Sequence, residues 1–449
     1  MKKLNLIIII LAILILSGCS SFSINVEDLI EAPILSTEQS EITEALKKTL
    51  NTNKLKLKYP KYGEIHAPII FENLDSDDSD EIIVFYEDTN DGSETTRINI
   101  MDKRDGNWVS IYDVPGESEN IEFVAMANIT SSVKKDLIVG WGKSEKRNKC
   151  LLNVYSYDEK SQSLKNILAE RYDAVKIVSS FKDRNMSKII LLNYSSKTMA
   201  KMAAPISKNR LGVIAMTKLN SEIDSLMNAI SYKGDNGDYL FLDFREKDGS
   251  YMTEVLKYTD ESIENLMFDD SKENLLLQET KREERIFCED VNGDGMPDVP
   301  MQKPLYGYKD RDSEEEQEET ENLYLTEYYS FKTEEPIKIQ TAFVNLNQGY
   351  KVIFPKKWQN DNITVRKQAD REEYSFVKYG ENGIDSQNVL LKIHLYAKDD
   401  YKDVFELQQF KKIAEKGNFE YYAYIPMNIE NAEVNITYGE LENMFKLLK

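Results

Sequence analysis

The sequence predicts a mainly β protein: a degenerate β-propeller of about five blades, followed by a small α+β domain. Three observations carry that expectation. From about residue 63, short apolar runs alternate at period two and are split by turn residues. An acidic turn followed by an apolar run recurs along the middle of the chain. From about residue 345 the texture changes and helical spacing returns.

The leader comes first. Lys2 and Lys3 precede an almost unbroken apolar run, Leu4 to Leu16, which ends in Leu16-Ser17-Gly18-Cys19. The run is short for a bilayer span. A basic start, an apolar run and small residues before the Cys are the parts of a cleaved export signal. The closing tetrapeptide resembles the lipobox of bacterial lipoproteins. That resemblance implies a signal peptide over 1–18, cleavage before Cys19 and a covalent diacylglycerol on the Cys19 thiol. It implies a chain held to the cell membrane on its extracytoplasmic face by a lipid anchor. The alternative is an ordinary secretory signal with an incidental Cys.

Residues 19–62 read as a polar tether and then a helix. Ser36, Thr37, Glu38 and Ser40 supply capping chemistry. Ile42, Ala45, Leu46 and Leu50 follow at helical spacing.

Self-comparison organises residues 63–343. The first copy is Asn73-Leu-Asp75-Ser-Asp77-Asp-Ser79-Asp-Glu81, running into Ile-Ile-Val. The second runs from Asn128 through Thr130, Ser132 and Lys134 to Asp136 and Leu-Ile-Val. The third runs from Ser180 through Lys182 and Arg184 to Lys188 and Ile-Ile-Leu. A weaker copy starts at Gly237-Asp238, and the last is Asp290-Val-Asn292-Gly-Asp294-Gly-Met296-Pro-Asp298. Each copy continues into further strands, such as Arg97-Ile-Asn-Ile-Met and Leu151-Leu-Asn-Val-Tyr. Four short strands in units of about 50–60 residues is the pattern of propeller blades, with an irregular all-β sandwich as the alternative.

The last copy carries the chemistry. Asp290, Asn292, Asp294 and Asp298 stand at loop positions 1, 3, 5 and 9. Met296, at position 7, has a backbone carbonyl to offer. Three carboxylates in one short loop repel unless a cation sits among them. Hard oxygen donors in a flexible loop suit calcium. An EF-hand would need a Glu at position 12, where Met301 stands. The segment resembles the FG-GAP/VCBS repeat of integrin-type β-propellers, which implies calcium held by these side chains. The loop at 73–81 is similar, with Asn73, Asp75, Asp77, Ser79 and Glu81 at positions 1, 3, 5, 7 and 9. Lys134 in the second copy, and Lys182, Arg184 and Lys188 in the third, repel a cation. Those loops are expected to keep only the shape. An acidic run, Asp312 to Glu321, reads as an exposed insertion.

Residues 344–449 form the α+β unit. Strands are expected at 349–354, 363–367, 373–378, 389–396 and 419–425, with helices near 402–415 and 438–448. The opening, a strand followed by Pro355 and Trp358, is faintly similar to PsbP-like domains.

Composition bounds the function. A net charge of −21 disfavours nucleic acid and anionic lipid surfaces as partners. His66 and His394 are the only histidines, which leaves a Ser-His-Asp enzyme or a zinc hydrolase poorly supplied. Cys150 and Cys288 lie in strand-like stretches and read as buried thiols, with a disulfide as the alternative outside the cell. No cluster of nucleophile, base and oxyanion donors is visible. The expectation is a non-catalytic surface lipoprotein, calcium-stabilised, binding a protein or cell-envelope partner. The alternative is an extracellular hydrolase acting on glycan or peptide; a carboxylate pair lining one pocket outside the metal loops would favour it. A solute receptor would need alternating strands and helices, and the middle region offers almost no helical pattern.

Overall fold

The computed structural model describes residues 36–89, 95–143, 149–195, 197–207, 209–268, 275–308, 322–333, 335–359, 361–368, 372–380, 383–398, 409–426 and 432–448. The leader with Cys19, the whole acidic run and the first part of the helix expected at 402–415 lie outside the described residues. The chain is mainly β, built of antiparallel sheets. It divides into two compact units. One comprises residues up to Tyr59 with Ala67–Asn73 and Asp77–Gly116; the other comprises Pro60–His66, Leu74–Ser76 and Glu117–Lys449.

In the first unit, helix α1 (Thr37–Leu50) starts at a capping box. Ser36 Oγ accepts from the Gln39 N–H, and the Gln39 side chain accepts from the Ser36 N–H. Asn51 ends the helix in the left-handed conformation. Ile42 and Leu46 are fully buried against Ile69, Ile82, Val84 and Met101. Burying each such side chain is worth about 1.5–3 kcal/mol. The sheet beneath comprises β1 (Leu55–Leu57), β2 (Ile69–Glu72), β3 (Glu81–Asp88), β4 (Arg97–Arg104) and β5 (Asn107–Pro115).

The second unit strings further sheets along the chain. The second sheet is β6 (Ile121–Ala127), β7 (Asp136–Trp141), β8 (Cys150–Asp158) and β9 (Ser163–Tyr172). The third is β10 (Ala174–Ser179), β11 (Ser187–Asn193), β12 (Met199–Ser207) and β13 (Arg210–Lys218). The fourth is β14 (Ile223–Tyr232), β15 (Asp238–Glu246), β16 (Tyr251–Tyr258) and β17 (Ile263–Asn265), followed by a short helix α2 (Leu275–Glu279). In each of these sheets the strands pair in chain order. The second strand of each is apolar and buried throughout its centre, because both of its faces are covered. One core joins the third and fourth sheets to Met296, Val299 and Met301; another joins the second and third.

The fifth sheet runs β18 (Val299–Pro304), β19 (Tyr324–Ser330), β20 (Ile337–Asn345) and β21 (Tyr350–Ile353). After helix α3 (Lys356–Gln359), a sixth sheet holds β22 (Ile363–Lys367), β23 (Glu373–Gly380), β24 (Gly383–Ala397), β25 (Lys411–Lys416) and β26 (Phe419–Tyr424). Its order is β22-β23-β24-β26-β25. Helix α4 (Tyr438–Met444) then leads into β27 (Phe445–Leu447), which pairs with β21 and so joins the fifth sheet. Trp358 is buried in the shared core, stacked on Phe376, and its indole N–H donates to the Val434 carbonyl at 2.7 Å.

Two expectations for this region need correction. Residues 411–416 form a strand, not the end of a helix. Gly417, at φ +60°, turns the chain tightly and β25 pairs back onto β26. The final helix stops at Met444. Phe445 is extended and stacks on Tyr350 at 5.3 Å, so the chain gains more by adding a strand to β21 than by another helical turn.

Candidate calcium loops and a neighbouring cleft

The ninth loop position is the structural constant of the repeats. Glu81, Asp136, Lys188 and Asp298 occupy it and all four are buried, as is Asp238 at the start of the weaker copy. Each opens or adjoins a strand whose two faces are covered, so its side chain turns inward beneath the loop. A buried ionisable group must find a partner. The loops differ in where that partner comes from.

In the second copy the loop satisfies itself. Thr130 donates to Asp136 from its backbone N–H at 2.7 Å and from its hydroxyl at 2.9 Å. In the third copy, protein cations stand in. Lys188 pairs with Asp260 at 3.3 Å, Lys182 with Glu261 at 2.8 Å, and Arg184 with Asp238 of the following repeat. Asp260 also accepts from Ser180 Oγ at 2.6 Å and the Lys182 N–H at 2.7 Å. The basic residues that repel a metal ion thus brace the loop from within the protein.

The 290–298 loop is wound about its own acidic side chains. Asp290 accepts from the N–H groups of Gly293, Asp294 and Gly295 at 2.7, 3.1 and 2.8 Å. Gly293 and Gly295 sit at φ +79° and +87°, where a side chain is strained. Asn292 Oδ1 accepts from the Asp294 N–H, and Asp294 Oδ1 accepts from the Met296 N–H. The Met296 side chain is buried in the core, which leaves only its backbone to the loop. Asp298 Oδ2 accepts from the Val291 N–H at 3.1 Å. Its other oxygen is buried with no hydrogen-bond partner among the described residues. Burial, followed by the charges of Asp294 and Asp290, pushes the Asp298 carboxyl up to about 6. Lys332, 2.7 Å from Asp294, holds that carboxyl below its usual range.

The chemistry of this donor set suits a hard divalent cation, while the carboxylates of Asp290, Asp294 and Asp298 stand further apart than those of Asp75, Asp77 and Glu81. A buried carboxylate oxygen without a partner is the kind of atom a metal ion satisfies. Asp290, Asn292, Asp294 and Asp298, with the Met296 carbonyl, would hold calcium there. The ion would compensate the buried charge of Asp298 and its repulsion by Asp294 and Asp290.

The 73–81 loop, the fainter match in sequence, gathers its carboxylates more closely. Oxygens of Asp75, Asp77 and Glu81 lie within 4.8 Å of one another, the one such acidic group among the described residues. Asn73 donates to the Asp77 carbonyl at 2.6 Å. Asp77 accepts from the Ser79 N–H at 2.6 Å and hydroxyl at 2.9 Å. Ser76 sits at φ +66° at the tip.

Sequence reasoning did not find a cleft of about 1040 Å³ beside the 290–298 loop. Tyr232, Asp235, Tyr239, Lys257, Glu264 and Lys332 line it, with Met296 on its wall. These residues come from the fourth sheet, its first hairpin and the turn that follows β19. No sequence spacing brings positions 100 residues apart together.

Also missed was a polar network inside the fourth sheet. Asp243 and Arg282 form a fully buried pair at 2.9 Å. Thr253 Oγ1 and the Cys288 N–H donate to the same carboxylate. Glu254 lies buried nearby, accepting from the Asn220 N–H at 2.8 Å and Asn265 Nδ2 at 2.5 Å. Cys150 is half-buried and Cys288 buried, and both are free thiols. Burial pushes the Cys288 thiol well up, which leaves it inert.

No protein-family model matches the chain, and no curated protein matches it. Among solved structures, a hypothetical selenium-binding protein from Sulfolobus tokodaii is similar at 9% identity and TM-score 0.30. That match covers 45% of this chain and 54% of the other, so the chain spans about half of that protein's length. A Bacteroides fragilis protein described as a 6-phosphogluconolactonase matches at 8% identity and TM-score 0.29, over 74% of this chain and 92% of its own. Sqt1 of Saccharomyces cerevisiae matches at 7% identity and TM-score 0.29, over 77% and 92%. The last two are β-propeller-type folds. The expectation of a protein without catalysis is corrected here, because one of these similar structures is described as an enzyme. At a TM-score of 0.29 that likeness gives this chain no activity of its own.

Proposed function

We propose that this chain is an extracytoplasmic lipoprotein, tethered by diacylglycerol on Cys19, that presents a calcium-stabilised β-propeller to a protein or cell-envelope partner. In this reading about five blades span 63–343. The α+β unit over 344–449 follows, and its β21 and β27 extend the last blade. Calcium sits in the 290–298 loop, with a second ion at 73–81.

The observation that carries the reading is the partnerless buried oxygen of Asp298 in a loop of three carboxylates. A loop stiffened further by a cation suits a scaffold working outside the cell, where calcium is in the millimolar range. The test is cross-linking of the lipid-free mature chain to native envelopes in calcium and in chelator. A specific cross-linked partner in calcium, lost with Asp294→Ala, supports the reading. Equal cross-linking by both proteins in both media overturns it.

A second reading, a hydrolase acting on glycan or peptide, is favoured by one observation. Asp235 and Glu264 line the same cleft, outside the metal loops. Release of reducing ends or peptide from envelope material, abolished by Glu264→Gln, would decide for it.

A further inference from the structure

We propose that the cleft beside the 290–298 loop binds an acidic oligosaccharide, and that calcium in the loop tightens this binding by freeing Lys332 from Asp294. The calcium half rests on the metal reading above; the saccharide half does not.

The cleft's chemistry selects the ligand class. Tyr232 and Tyr239 stand 6.2 Å apart with their rings inclined at 52°. They offer flat apolar faces edged by hydroxyls. Gly234 lets the intervening turn lie against Tyr239: a Cβ there would meet the Gly237 carbonyl at 2.4 Å and the Tyr239 ring at 2.9 Å. Sugar rings present apolar C–H faces and a belt of hydroxyls that both donate and accept. They therefore call for ring faces flanked by mixed polar groups. Asp235 and Glu264 accept, while Lys257 and Lys332 donate. A purely apolar ligand would strand these four charges. A volume of about 1040 Å³ exceeds what one monosaccharide fills and accommodates several linked rings.

Charge sets the second half. Lys257 reaches over Tyr239, its Nζ 5.8 Å from the ring centroid. Lys332 is drawn aside, 2.7 Å from Asp294 Oδ2. In that state the cleft sets one available lysine against two carboxylates, and an anionic sugar is poorly served. Calcium and Lys332 compete for the same Asp294 carboxylate. When the ion takes Asp294, Lys332 becomes available to the cleft, and a uronate carboxylate gains a second cation. A solvent-exposed charge pair of this kind is worth roughly a three- to tenfold change in affinity. By reciprocity, the sugar tightens calcium by the same factor.

The test uses the full mature chain carrying Cys19→Ser, with two probes. One is a hyaluronan hexasaccharide, which alternates glucuronate with N-acetylglucosamine; the other is the uncharged chitohexaose. Each is titrated by calorimetry in chelator and in millimolar calcium. The hyaluronan probe is expected to bind in both media, about three- to tenfold tighter in calcium, while chitohexaose affinity stays unchanged by calcium. Lys332→Gln should erase the calcium effect. Tyr232→Ala and Lys257→Gln should each weaken hyaluronan in both media, with unchanged circular dichroism and melting as the check on folding. Absence of binding by both sugars overturns the saccharide assignment, as does wild-type affinity in both cleft variants. If calcium binds but leaves hyaluronan affinity unchanged, the Lys332 link is overturned. If calcium gives no heat, the metal reading falls, and binding in chelator still decides the cleft.

Discussion

Replacing Glu254 by Gln should reverse the order of stability between acid and alkaline pH. Glu254 is buried in the fourth sheet, and loss of hydration pushes its carboxyl from 4.5 up to about 7, despite the two donors that favour its charge. The unfolded chain keeps the ordinary value, so the folded state binds the extra proton. Below pH 4.5 both states are protonated and the group adds nothing. Stability then falls as pH rises through the interval between the two values and levels off above pH 7. The full loss is on the order of 3 kcal/mol. Gln preserves the acceptor for the Asn220 N–H but turns an amide toward the Asn265 amide, at a cost of about 1 kcal/mol. The variant should thus be about 1 kcal/mol less stable than wild type at pH 4, close to it at pH 5 and about 2 kcal/mol more stable at pH 8. Urea melts at pH 4, 5, 6, 7 and 8 measure this directly. A difference between the two proteins that stays constant across that range would refute the reasoning, because it would mean Glu254 does not titrate with folding.

Three further outcomes follow from the same structure. Millimolar calcium should stabilise the wild-type chain by about 1–2 kcal/mol over chelator, and Asp294→Ala should lose most of that gain; identical melting shifts would reduce the 290–298 loop to a plain turn. Arg282→Ala should destabilise by about 3–5 kcal/mol, since it leaves Asp243 charged, buried and uncompensated; a guanidinium chloride midpoint within error of wild type would contradict this. Cys19→Ala should abolish both metabolic labelling by a lipid precursor and cleavage by lipoprotein signal peptidase; persistent labelling would remove the anchor from the proposal.

The sequence by itself determined the parts governed by neighbours along the chain. The capping box at Ser36 and Gln39 needs only three residues of separation, and the helix begins where that pattern places it. The apolar runs after Glu81, Asp136, Lys188 and Asp238 became β3, β7, β11 and β15, because turn residues and an unbroken apolar stretch specify a covered strand locally. The spacing of Asp290, Asn292, Asp294 and Asp298 likewise fixed a loop whose amides fold onto its own carboxylates. What only the tertiary structure decided is who answers each charge. Lys188 finds Asp260, Arg184 finds Asp238, Arg282 finds Asp243 and Lys332 finds Asp294, across separations of 38 to 72 residues that no local pattern records. The same holds at 411–416 and 445–447, where helical spacing lost to strand pairing: helix propensity is worth tenths of a kcal/mol per residue, and a neighbouring strand with a ring to stack on outweighs it.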